Sequence, residues 1–140
     1  MAIDFLERCE VVEECYEFLL GYAAQGFPSD EGNSAGRQVR NHLEQAREAL
    51  IGLPDSCRQA IHDHQLEPSG KYDAFCRTLE RDGNDSLVAL ELVLAQPAIS
   101  SQLIDNLNAS SHLRALLTDL FLVGEILRAR IQVTATVEGQ

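Results

Sequence analysis

Tryptophan is absent from this chain, lysine occurs once, at Lys71, and methionine once, at the start. Aromatic residues make up only 6% of it, which leaves little from which to build a stacking platform for nucleobases or a large planar cofactor. No apolar run approaches the ~20 residues that a membrane-spanning helix needs. Basic residues are outnumbered 22 to 11 by acids. The net charge of -11 argues against nucleic acid as a partner, because phosphate contacts need clustered Lys and Arg.

Cysteine is present but unpatterned. Cys9, Cys15, Cys57 and Cys76 form no C-x-x-C and no zinc-like pair spacing, and there is no C-x-x-C-H haem attachment site. They read as small buried apolar residues in a reducing compartment. Phosphate-cradling loops are missing too: neither Gly32 nor Gly36 is followed by Lys-Ser/Thr, and no strand precedes them. The opening MAIDFLERCEVVEE has acids where a secretory signal needs a basic start and an apolar core. A cytoplasmic location is therefore expected, with no metal or cofactor.

What the chain does have is helical periodicity. From Ser110 to Ile131, Leu113, Leu117, Leu120, Gly124, Leu127 and Ile131 recur at steps of four and three, which keeps one stripe of a helix against a partner. At about 100° per residue, Ala115, Leu122, Ile126 and Ala129 fall on the opposite side. This helix is expected to be apolar on two faces and covered on both. Gly124 in its main stripe costs about 1 kcal/mol relative to Ala, and the expected reason is close approach of a neighbouring helix backbone.

Ile3 to Ala24 predicts a first long helix with Phe5, Leu6, Cys9, Val12, Tyr16, Leu19, Leu20 and Ala23 on one broad face. Gly26, Pro28 and the polar run through Asn33 predict a mobile reversing loop. A second helix is expected from Ser34, as its cap, to Leu53, with Pro54 ending or kinking it. Ser56 and Gln59 have capping-box spacing for a short continuation to His64. Shorter helices are expected over Lys71 to Arg81, stopped by Asp82–Gly83, then Ser86 to Ala95, capped by Asp85, then Ala98 to Leu107. The sum is an all-α bundle of four to six helices with a long, doubly apolar C-terminal helix. Residues 1–132 are expected to form a single domain, and 133–140 a disordered tail.

Two constellations are candidates for function. Glu7, Glu10, Glu13, Glu14 and Glu17 share one sector of the first helix, where carboxylates repel one another unless solvated or neutralised. A solvated face is the plain reading, and docking of a basic partner the functional one. The Glu-x-x-His motif of carboxylate-bridged di-iron bundles is absent. Secondly, His42 followed by the His62–Asp63 pair resembles the ligand order of HD-type metal phosphohydrolases, which are also all-α. The resemblance implies a metal-dependent hydrolase built on His42, His62 and Asp63, with an acid such as Asp119 completing the set. It rests on two short segments: the histidines are closer in sequence than is usual in that family, and the small-residue turn that commonly follows the pair is missing. His112 has no Ser or Cys nucleophile paired with it locally.

These features favour a non-catalytic protein–protein interaction module, an adaptor, assembly factor or regulatory subunit, working as a homodimer with a further protein partner. The expected interface residues are Glu7, Glu10, Glu14, Glu17, Leu122 and Ile126. The HD-type hydrolase is one alternative, and an acidic mimic of nucleic acid the other.

Overall fold

Five helices make up the chain in the computed structural model, which describes residues 2–138. They are α1 (Ala2–Ala24), α2 (Ser34–Asp63), α3 (Ser69–Leu94), α4 (Ser101–Ala109) and α5 (Ser111–Glu138), and no strand occurs among the described residues. The fold is an all-α bundle, as the periodicity predicts. α1 packs on α2, α2 on α3 and α3 on α5, while the short α4 lies against α1. No helix among the described residues is long and apolar enough to cross a membrane.

α1 buries Phe5, Cys9, Val12, Cys15, Leu19 and Tyr22, again at steps of four and three. Relative to the expected face the stripe is turned toward Cys15 and Tyr22, and Leu20 stands exposed. In α5 the buried row is Leu113, Leu116, Leu117, Leu120, Val123 and Leu127, so Leu116 and Val123 join the stripe read from spacing alone. Gly124 has a different reason from the one expected. A side-chain carbon there would sit 3.1 Å from Nη1 of Arg128, which folds back over its own helix, and the nearest atoms are those of this guanidinium rather than of a neighbouring backbone. α5 also runs on to Glu138, through most of the stretch expected to be a tail. Gly139 and Gln140 lie outside the described residues.

The two middle helices pass straight through their supposed breakers. Pro54 sits buried inside α2. Its ring nitrogen has no hydrogen to give the Leu50 carbonyl. In the turn ahead of it, Arg8 of α1 donates to the carbonyls of Glu48 and Ala49 at 3.1 and 3.2 Å. Gly52 makes this possible, since any side chain there would overlap the Arg8 guanidinium. Ser56 caps nothing: it is buried in mid-helix and donates to the Leu53 carbonyl at 2.8 Å. Asp82–Gly83 likewise does not stop α3, because Gly83 is buried where α3 crosses the Leu116 side chain of α5. Burial against a partner outweighs the roughly 1 kcal/mol that glycine costs a helix. The remaining ends shift slightly. Asn33 rather than Ser34 caps α2, accepting from the Gly36 N–H at 2.5 Å, and Ser100 caps α4, accepting from the Leu103 N–H at 3.0 Å.

The loop between α1 and α2, expected to be mobile, is pinned. Gly26 and Gly32 supply positive φ, which lets the chain turn back tightly. Asp30 is then buried at the junction of α3 and α4, where its Oδ1 accepts from the Ile99 N–H at 2.6 Å. Its Oδ2 accepts from Nε of Arg40 at 2.5 Å. The same guanidinium donates to the carbonyls of Leu94, Gln96 and Pro97. Nearby, the Tyr22 hydroxyl donates to the Ile99 carbonyl at 2.8 Å, and Ser101 bridges Tyr22 and Phe27. Gly36 lets the loop come this close, since a methyl there would collide with the Asp30 backbone.

Burial alone would raise the Asp30 carboxyl, but the hydrogen bonds from Arg40 and Ile99 and the charge of Arg40 hold it below the ordinary carboxylate range. Its stabilising effect is present above the unfolded value and is lost as pH falls through the lowered folded one. Asp30→Ala removes the acceptor for both donors and should cost about 3 kcal/mol. The loss is read as a lower urea midpoint at unchanged slope. The exposed carboxylate change Asp105→Ala should stay within about 0.5 kcal/mol.

Candidate functional site

α3 and α5 run antiparallel. At one end of their seam the Ser86 hydroxyl donates to the His112 carbonyl at 2.9 Å. At the other, Pro68, Lys71, Tyr72 and Phe75 face Leu122, Val123 and Ile126 across a groove of about 250 Å³. The groove follows from the sequence at the start of α3. Ser69 and Gly70 are small and line no part of it, and Tyr72 and Phe75, a turn apart, form the aromatic part of its α3 wall beside Pro68 and Lys71. On α5, Val123 turns into the core and Leu122, its neighbour, turns outward with 54% of its surface exposed. Ile126 lies half-buried a turn further on. Every lining residue is apolar or aromatic except Lys71, and no carboxylate is among them. Leu122 and Ile126, expected on the second face of the last helix, thus share one site. Its opposite wall, Pro68, Tyr72 and Phe75, was not read as part of a site.

The acidic residues lie elsewhere. Glu7, Glu10, Glu14 and Glu17 are exposed along about 15 Å of α1. They line no part of the groove. Glu13 is turned inward: burial raises its carboxyl, Arg128 opposes the shift, and Glu10 and Glu17 add to it.

The His-Asp constellation does not assemble. His42 and His62 are both on α2, twenty residues apart, which separates them by about 30 Å. His42 stacks on Phe18 with ring centroids 4.3 Å apart, on the side of α2 that packs on α1. His62 and Asp63 are exposed in the last turn, where Asp63 accepts from Gln59 at 2.8 Å. Asp119 is on α5. No group of three or more His, Cys, Asp or Glu side chains is placed to hold a metal among the described residues. The set His42, His62 and Asp63 therefore has no common centre, because a single continuous helix keeps residues twenty apart well separated.

Two polar pairs escaped the sequence reading. Cys57 of α2 and Cys76 of α3 are both fully buried, with sulfurs 3.6 Å apart. Asp119 is buried in the α3–α5 seam against Asp82, and its Oδ2 has no partner. Burial pushes the Asp119 carboxyl up to about 7, the hydrogen bond and charge of Asp82 push the same way, and Arg81 opposes them. Either pair could have been found only by knowing which helices are neighbours.

No family model, no curated protein and no solved structure matches this chain.

The Asp119 carboxyl has a pH signature. A carboxyl whose folded value is raised contributes stability that is fully present below the unfolded value, about 4, and lost as pH rises through the folded one. The urea midpoint should fall between about pH 4 and about pH 7, and Asp119→Asn should flatten that fall. An unchanged slope in the variant would place the titration on another group.

Proposed function

We propose that this protein is a non-catalytic interaction module that works as a homodimer, an adaptor, assembly factor or regulatory subunit in the cytoplasm. The observation that carries the reading is the apolar groove with Leu122 exposed on its wall. An apolar groove with an exposed leucine on its wall is a surface that a partner side chain can fill. The occupant proposed is a second copy of the chain. Two chains of net charge -11 repel one another over most of their surfaces. The groove is lined by no carboxylate and carries the only lysine, so it is a place where two copies meet without opposing acids. A two-fold arrangement would let Leu122 of each copy enter the groove of the other, which satisfies both at once. The exposed strip of Glu7, Glu10, Glu14 and Glu17 is left free by that packing for a basic protein partner.

Sedimentation equilibrium at micromolar concentration tests the reading. The wild-type chain should be a dimer, and Leu122→Glu or Ile126→Glu a monomer with unchanged helical circular dichroism. Putting a carboxylate in place of an apolar side chain at the contact should weaken association about tenfold, Lys71 notwithstanding. A wild-type monomer at those concentrations would refute the dimer.

A further inference from the structure

Cys57 and Cys76 stand apart from the groove and from the acidic strip, and nothing in the proposed interaction uses them. They bring two thiols to one point between α2 and α3, with sulfurs 3.6 Å apart, while Cys9 and Cys15 belong to α1. A shift of about 1.5 Å would bring the sulfurs to bonding distance.

Neither sulfur reaches the surface, and a neighbour of the pair, Arg58, lines an open cleft. This polar cleft of about 570 Å³ lies at the closed end of the α2–α3 hairpin, lined among others by Arg58, Leu66, Ser69 and Asp73. Arg58 and Asp73 are also the charged groups felt by the Cys76 sulfur, along with Glu80. The two thiols are chemically unequal. The contact between the two sulfurs, in which the Cys76 thiol donates to Cys57, lowers Cys76, with Arg58 helping against burial, Asp73 and Glu80, while the same contact raises Cys57. Burial pushes Cys9 and Cys15 up to about 12. The thiolate is the reactive form, so Cys76 is the one poised to attack.

We propose that Cys57 and Cys76 form a dithiol modification site, which hydroperoxides convert to an intrachain disulfide joining α2 to α3. The Cys76 thiolate attacks the terminal oxygen of a hydroperoxide, the O–O bond breaks, and the alcohol leaves with the proton the thiol gave up. Cys76 is then a sulfenic acid. The Cys57 sulfur attacks the Cys76 sulfur, the S–O bond breaks, and the hydroxyl leaves as water with the Cys57 proton. Two thiols are oxidised by two electrons and one peroxide bond is reduced.

The test treats the full chain with hydrogen peroxide under native conditions, then unfolds it in an alkylating agent and maps its peptides by mass. Two of the four thiols should escape alkylation, the intact mass should fall by two hydrogens, and one linked peptide should join Cys57 to Cys76. Dithiothreitol should reverse all three. In urea the pairing should spread over the other cysteines. Arg58→Ala should slow the native reaction several-fold, and Cys57→Ser should leave a Cys76 sulfenic acid that dimedone captures. Linked peptides containing Cys9 or Cys15, or oxygen added to thiols without any linked peptide, would overturn the proposal. So would thiols that stay alkylatable in the native chain while the unfolded one oxidises.

Discussion

One guanidinium holds the end of this bundle together. Arg40 leaves α2, meets the buried Asp30 carboxylate and covers carbonyls at the end of α3, a helix with no basic residue in its own last turn. Those carbonyls have no intrahelical donors and carry the negative end of the helix dipole, so a cation there is favoured twice. Asp30, in turn, fixes Ile99 and with it the approach to α4. Four elements thus converge on a charge pair contributed by a loop and the first turns of a helix. The packing of α1 on α4, and the direction in which α5 sets out, both inherit from it.

The ends of the chain were legible because α1 and α5 carry uninterrupted apolar spacing, and a stripe of that kind has one good solution. The middle was not, because Pro54 and Asp82–Gly83 are local signals whose effect is decided from elsewhere. Arg8 comes from the first helix to serve carbonyls beside Pro54, and Leu116 comes from the last to cover Gly83. Neither compensation is near in sequence. Once α2 and α3 are taken as single helices, other features follow at once. They form a hairpin about Leu66–Glu67, and Cys57 and Cys76 lie equally far to either side of it. Arg58–Glu80 and Arg47–Glu91 are further rungs of the same ladder.

The site was half visible for the same reason. Leu122 and Ile126 announced themselves as apolar residues on the wrong side of an amphipathic helix, which periodicity detects. Tyr72 and Phe75 looked like ordinary core residues of a short helix, and only the antiparallel crossing with α5 turns them into a wall. The histidines show the converse case. His42 and His62–Asp63 looked like parts of one centre while a break at Pro54 was assumed. In a continuous α2 their separation is set by the rise of the helix.

The solitary lysine has a practical meaning of its own. Every other basic side chain is an arginine, whose guanidinium stays charged and does not acylate under mild conditions. Lys71 is therefore the one side-chain amine on this molecule, and it stands at the mouth of the apolar groove. A fluorophore or cross-linker directed at amines has a single side-chain address here. Acetylation, too, would act at a single side chain, and would turn the only cation lining the groove into a neutral amide.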